Sequence, residues 1–304
     1  LLLMIKGNFC FGKTKVDVRR ELKLGNLAFK KLISKTGIKY IYRASKKENS
    51  LTLGIKSAKS FIKQEVREEI SGLIFVSQSP QSLIPSTGSI IHRELNLKNN
   101  CFVLDMIQGC SGFTYALSLA SKMIETKELN NCLIICSETY TKYIEKKNKN
   151  CLPIFSDAAS AIFLNKKNNP KLLANISITD GTGEKNLILK NKKLFMHGSE
   201  VFTFTADQVP KATETLLKKS KLRIDDVGLF VYHQASRVVL EFIKNKLEIP
   251  NNKFVFDMTD YGNTVSSSIP IALLRSKNKI GTKPVLMMGF GVGYSLCGGI
   301  YKFD

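Results

Sequence analysis

"DMIQGCSGFTYALSLASKM", residues 105–123, is the stretch from which the fold can be read outward. Residues 101–107, CFVLDMI, form a short, mostly apolar run of the length of a buried strand. Phe113, Ala116, Leu117, Ala120 and Ile124 then recur at three- and four-residue steps, as on one face of a helix. The pattern predicts a strand, a tight turn and a helix, with Cys110 opening the helix. Gly109 can take backbone angles closed to other residues, and Gly112 lets neighbouring chain approach closely. At a helix N-terminus the unpaired N–H groups and the dipole favour a thiolate, so this reading predicts a cysteine titrating in the range of roughly 3.5–7.5 instead of about 8.5. The same amides could hold the oxyanion formed when a thioester is attacked. The competing structural reading is a small buried cysteine filling a core gap. The glycine bracket and the strand-to-helix position favour the reactive one.

The rest of the chain repeats this alternation. Apolar runs predict strands at 3–11, 72–77, 101–107, 132–138, 160–164, 172–179, 227–232, 253–257, 284–290 and 294–302, and helical spacing predicts helices at 24–37, 51–66, 111–125, 201–219, 234–247 and 264–275. Such alternation implies a parallel-rich α/β fold with helices covering the sheets. The order repeats approximately after the polar segment 165–170, so two halves are expected, 1–168 with Cys110 and 169–304.

A chain of 304 residues, 43% hydrophobic, can bury a large core. Its seven cysteines, at 10, 101, 110, 132, 136, 151 and 297, are odd in number and lack paired C-x-x-C spacing. That argues against a disulfide framework or a zinc site; no metal is expected, and a reducing cytoplasm fits. The start LLLMIKGNFCFG lacks the basic leader, long core and cleavage site of a signal peptide. No stretch reaches the roughly 18 apolar residues that span a bilayer. The formal charge of +21 raises nucleic acid as a partner, but the lysines are scattered in pieces such as EKKNKN (145–150) and NKKNNPK (165–171) without a recognisable nucleic-acid motif. One reading makes the excess compositional, since Lys, Asn and Ile are enriched together. The other expects an acidic partner or a phosphate-bearing cofactor, steered in by the positive field.

His233 ends the apolar run VGLFVY and precedes a helical pattern, the same junction that Cys110 occupies in the first half. Sites collect at the carboxyl ends of parallel strands, so the two side chains could converge between the halves. His92 and His197 read as structural. In DYGNTVSSSIPIAL (260–273), Gly262 permits a sharp turn and Asn263 offers a neutral amide donor, the bland alternative being a helix cap. Cys, His and Asn in this order have one precedent in papain-like peptidases. The C-G-[SA]-C-[WY] signature of that family is absent here, and so is any Trp.

The other precedent matches along nearly the whole chain. GCSGFTYALSLA (109–120), YHQAS (232–236), YGNTVSSSIP (261–270) and GFGVGYSLCGGIYKF (289–303) resemble β-ketoacyl-acyl-carrier-protein synthase III, a thiolase-fold condensing enzyme. The resemblance implies a duplicated five-layered α/β/α/β/α fold, usually homodimeric, with no resident cofactor and with coenzyme A or phosphopantetheine thioesters as substrates. It implies that Cys110 becomes acylated from a thioester, with backbone amides of Cys110 and Val292 as oxyanion donors. His233 and Asn263 would hold a malonyl thioester as it loses carbon dioxide, a task suited to neutral donors because a carboxylate would repel the developing charge. Ile84 matches a position that reaches the partner subunit's acyl pocket.

Departures from the family pattern are informative. Relatives using a coenzyme A primer often carry Trp and Arg before T-G-I, where this chain has Lys31 and Lys35; Val292 replaces a glycine, and Ser236 replaces an Asn. Arg237, Lys244 and Lys246 are the candidate docking residues for an acidic acyl-carrier protein, and Lys35 a candidate substrate contact. The departures suggest a specialised synthase in a secondary or surface-polymer pathway. Rival activities are acyl transfer to an alcohol or amine without decarboxylation, thioester hydrolysis, and non-catalytic nucleic-acid binding.

Overall fold

The computed structural model describes residues 5–303. The first part of the chain contributes β1 (Lys6–Phe11), β2 (Thr14–Asp17), β3 (Tyr40–Arg43), β4 (Gly72–Val76), β5 (Phe102–Met106), β6 (Asn131–Glu138) and β7 (Ala158–Asn165), with helices α1 (Val18–Glu21), α2 (Asn26–Thr36), α3 (Ser50–Lys59), α4 (Gln64–Glu68), α5 (Thr87–Glu94) and α6 (Gly112–Glu125). The second part contributes β8 (Lys171–Thr179), β9 (Leu187–Lys190), β10 (Lys193–Met196), β11 (Leu229–Tyr232), β12 (Val285–Gly291) and β13 (Ser295–Lys302), with α7 (Gly198–Ser220), α8 (Arg237–Lys246) and α9 (Ser268–Arg275).

Two sheets organise these elements. One has the order β1-β7-β6-β4-β5, with β4 parallel to both β5 and β6; the other has the order β11-β12-β13-β8, with β11 parallel to β12. Helices α6 and α9 lie between the sheets: α6 touches β4 and β6 on one side and β12 and β13 on the other, while α9 touches β1 and β7, and β11 and β12. Helices α3 and α5 cover the outer face of the first sheet, and α7, backed by α8, covers that of the second. The result is five layers, α/β/α/β/α.

Alternation inside the strands explains why both sheets can be buried on both faces. Ile74 and Val76 of β4, with Cys132, Ile134 and Cys136 of β6, face the inner helices, whereas Leu73, Phe75, Leu133 and Ile135 face the outer layer. In the second sheet Leu229, Val231, Val285 and Met287 join the same inner core, and Phe230, Tyr232, Leu286 and Met288 face outward. Strands covered on both sides read as continuous apolar runs, which is how they stand in the sequence.

Some expectations need correction. Residues 253–257 form no strand; a lone bridge joins Phe254 to Phe230. The Gln234 side chain takes the groups that a ladder would use, accepting from the Asp257 N–H at 2.7 Å and donating to the Val255 carbonyl at 3.3 Å. The helix expected at 51–66 is two, α3 and α4, and the helix expected at 234–247 starts at Arg237 because Ser236 is extended. The strand expected from Leu3 begins at Lys6; its first two positions lie outside the described residues. The β2–β3 and β9–β10 pairs and α5 were not anticipated, being too short for a periodic signal. Among the described residues no helix is long and apolar enough to cross a membrane.

Ile134 sits in the inner core with about 1% of its surface exposed. Truncating Ile134→Ala is expected to cost about 2–5 kcal/mol in the denaturant midpoint at unchanged slope. The same truncation at Leu27, 82% exposed, should stay within about 0.5 kcal/mol.

Candidate active site

Cys110 lies in a single 3-10 turn, Gly109–Ser111, that leads directly into α6. Gly109 has φ +56°, a left-handed angle unfavourable for side-chain-bearing residues, and it turns the chain out of β5. The turn rests on β12 of the other sheet. A β-carbon at position 289 would stand 2.3 Å from the Cys110 carbonyl oxygen, and one at 291 would stand 3.3 Å from its sulfur. Glycine at position 289 is what lets the Cys110 turn close against β12, and glycine at 291 leaves room beside the sulfur. Ser111 and Thr114 complete the seam, through the Ser295 hydroxyl at 2.9 Å and the Cys297 carbonyl at 2.8 Å.

His233 follows β11 directly, its N–H donating to the Met288 carbonyl at 2.9 Å. The ring Nδ1 lies 2.6 Å from the Ser268 hydroxyl at the start of α9, and Nε2 lies 3.4 Å from the Asn263 amide nitrogen. Asn263 is fixed at three points. Its N–H donates to the Ile154 carbonyl and its carbonyl accepts from Ser156, while its side-chain oxygen accepts from Val265 N–H at 2.9 Å, leaving the NH2 group toward the histidine. Cys110, His233 and Asn263 thus line one cavity of about 160 Å³, whose other walls include Phe155, Leu187, Met196 and Phe290.

The electrostatics differ from the expected thiolate. Burial pushes the Cys110 thiol well above its ordinary value, the charge of Glu138 pushes the same way, and only its own backbone N–H acts in the opposite sense. Desolvation outweighs the helix terminus because Tyr140, Phe155 and Val265 close over the turn. Burial also pushes His233 down to about 3, so the imidazole is neutral at physiological pH. The resting site therefore holds an uncharged thiol beside an uncharged imidazole and amide.

The other sequence candidates are spread over the surface. Val292 packs beside Cys110 but lines a second, larger cavity of about 530 Å³, with Tyr140, Tyr143 and Leu189; Leu187 lines both. Ile84 is 93% exposed and lines neither cavity; its neighbour Leu83 reaches the larger one. Lys35 joins Lys31 and Lys149 around a cleft of about 290 Å³ floored by Leu22, Leu24 and Leu32. Arg237 lies over the Phe256 ring at 5.2 Å, Lys244 donates to Asn251 at 2.8 Å, and Lys246 ends α8. None of these four basic residues lines the Cys110 cavity. Reading the sequence missed Ser268 and Glu138; the one available sign for the latter was an acidic residue closing the apolar strand NCLIICSE.

Comparison with known proteins agrees with this architecture. Residues 104–181 match the family 3-oxoacyl-[acyl-carrier-protein] synthase III, and residues 217–303 match its C-terminal family. The chain is 34% identical over 281 residues to a β-ketoacyl-[acyl-carrier-protein] synthase III of Clostridium novyi, covering 85% of this chain and 86% of that one. It is 32% identical to its counterpart in Clostridium tetani, covering 89% of each. A 3-oxoacyl-(acyl-carrier-protein) synthase III crystal structure superposes with TM-score 0.92 at 27% identity over 99% of both chains. That of Aquifex aeolicus gives 0.91 at 25% identity, over 98% of this chain and 99% of that one.

The fold and these likenesses define a thiolase-fold condensing enzyme. More narrowly, the chain belongs to the β-ketoacyl-acyl-carrier-protein synthase III family.

Because the Cys110 thiol is held up by burial, iodoacetamide alkylation of the resting enzyme should be slow at pH 7. It should still be accelerating above pH ~8.5, the free-cysteine value. Mass spectrometry of the Cys110 peptide measures it, and a plateau below neutrality would contradict the electrostatics described.

Proposed function

We propose that the protein takes an acyl group from a thioester onto Cys110 and then condenses it with a malonyl thioester carried by acyl-carrier protein. The observation that carries this reading is the convergence of a sulfur and two neutral hydrogen-bond donors, from different halves, on one cavity. In the first step the Cys110 sulfur attacks the thioester carbonyl, the carrier thiol leaves with the proton, and backbone N–H groups of Cys110 and Val292 receive the oxyanion.

In the second step the malonyl carboxylate leaves as carbon dioxide, and the bond electrons pass to the thioester enolate. That enolate attacks the acyl carbonyl on Cys110 and releases the sulfur, giving a β-ketoacyl thioester. Stabilisation of the enolate falls to donors that need not gain charge. Ser268 can donate to Nδ1, which frees Nε2–H to point into the cavity beside the Asn263 amide. The side chains suit this role because neither is ionised: burial holds His233 neutral and the Val265 N–H fixes the amide orientation.

We further read residues 1–168 and 169–304 as the two halves, the active enzyme as a cytoplasmic homodimer in which Ile84 serves the partner's acyl pocket, and Arg237, Lys244 and Lys246 as the docking face for an acidic carrier. The net charge of +21 supports the last of these. Lys31 and Lys35, which replace residues common in coenzyme A-primed relatives, and Ser236, which replaces an Asn common in the family, support a specialised pathway over the housekeeping one.

Cys110→Ala should abolish acylation by acyl-coenzyme A or acyl-carrier thioesters in intact-protein mass spectrometry. His233→Ala and Asn263→Ala should each lower carbon dioxide release from malonyl-acyl-carrier protein by about 10²–10³-fold while self-acylation persists. Undiminished release from both variants would refute the donor roles. Acyl transfer to an alcohol or amine with no carbon dioxide released would establish the rival reaction.

A further inference from the structure

Glu138, the last residue of β6, is fully buried, and among the described residues no basic side chain bonds to its carboxylate. Hydroxyl and amide donors surround it instead. Oε1 accepts from Gln78 N–H at 3.1 Å and from the Ser266 hydroxyl at 2.8 Å. Oε2 accepts from Ser79 N–H at 3.1 Å, the Ser79 hydroxyl at 2.6 Å, the Gln78 N–H at 3.2 Å and, at 3.4 Å, the Ser77 hydroxyl. A carboxyl group left bare in such a place would cost several kcal/mol, so a ring of donors on both oxygens is what makes its burial tolerable.

The donors belong to two separate segments of the chain that stand next to the site residues. Ser77, Gln78 and Ser79 form the loop after β4, and the Gln78 side chain presses on the Cys110 turn: a β-carbon at Gly109 would stand 2.3 Å from its amide oxygen. Ser266 belongs to the turn Val265–Ser267, between Asn263 and Ser268. Three residues upstream of Ser266 is the amide donor; two residues downstream is the hydroxyl that orients His233.

We propose that Glu138 is a positioning residue for the condensation, its buried carboxylate tying the loop that braces Cys110 to the turn that carries Asn263 and the Ser268 partner of His233. It also acts on the nucleophile through its charge, which disfavours a thiolate at Cys110. The titratable groups packed around the pair are Cys136 on the same strand, Tyr140 and Tyr143 on the following turn, Cys151, and His233. Burial raises the first four and lowers the last, so all are uncharged at neutral pH. Glu138 itself is raised to about 7 by burial, against the lowering pull of its donors. It is therefore ionised throughout the alkaline range in which Cys110 loses its proton. This inference rests on the condensing-enzyme reading for its rate predictions, whereas its electrostatic prediction does not depend on that reading.

The test uses Glu138→Gln, which keeps the volume and removes the charge, with Glu138→Asp and Ser266→Ala alongside. In Glu138→Gln the pH profile of Cys110 alkylation should move to lower pH, because an anion beside the sulfur is gone, and Glu138→Asp should retain the wild-type profile. Carbon dioxide release from malonyl-acyl-carrier protein should fall by about 10-fold or more in both Glu138→Gln and Ser266→Ala, with a smaller loss in self-acylation. In Ser266→Ala the alkylation profile should not move. A merely structural role would lower all rates in proportion to folded protein and leave the profile in place. That result, or wild-type carbon dioxide release from Ser266→Ala, would overturn the proposal. If Glu138→Gln does not fold, Ser266→Ala decides the positioning role alone. A wild-type enzyme that accepts no acyl group would instead remove the functional reading, and the alkylation profiles would still decide the electrostatic part.

Discussion

The contact on which the site depends is the closure of the Cys110 turn against β12. It joins the two sheets alongside α6 and α9, and it depends above all on position 289 carrying no side chain. A methyl group at 289 would stand 2.3 Å from the Cys110 carbonyl, far inside van der Waals contact. The nucleophile's turn would then have to back away from the sheet that leads, through β11, to His233. Every later feature of the site inherits its geometry from this seam: the small cavity, the neutral thiol, and the placing of two donors opposite the sulfur.

Burial and reactivity are in tension here, and the structure shows how the tension is divided. A cysteine at a helix start is electrostatically prepared to ionise, yet Cys110 lies under Tyr140, Phe155 and Val265, and beside a carboxylate. Desolvation wins, so the resting enzyme stores its nucleophile as a thiol. His233 is held neutral by the same burial. In the proposed reaction a thioester would bring in a carbonyl whose oxygen becomes anionic, and the fixed N–H groups would then meet charge that did not exist in the ground state.

Much of this was legible in the sequence because it is local. The strand-to-helix junctions at Cys110 and His233 come from apolar runs that end sharply, and β4, β6, β11 and β12 lie where alternation placed them. The family motifs then supplied Asn263, which residue type alone left open between donor and helix cap. What escaped the reading is non-local. Gln234 takes over the backbone groups of 255–257 from across a turn, which dissolves an expected strand. The thiol's upward shift depends on side chains from three other segments, and the Glu138 donors come from one of these, the Val265–Ser267 turn, and from the loop after β4. No sequence window contains those contacts. The basic residues Lys35, Lys244 and Lys246 could be placed on helices but not related to the cavity, because long charged side chains on a solvated face are set by no packing partner.

The measurement that bears most directly on the central claim is product identification by mass spectrometry, with wild-type enzyme, an acyl thioester and malonyl-acyl-carrier protein labelled with carbon-13 at the free carboxyl. If one cavity brings the acylated sulfur and the two donors to the same malonyl unit, each β-ketoacyl product will be accompanied by one labelled carbon dioxide and will itself carry no label. Labelled carboxyl retained in the product, or acyl thioester consumed to the free acid with no β-keto compound formed, would contradict it.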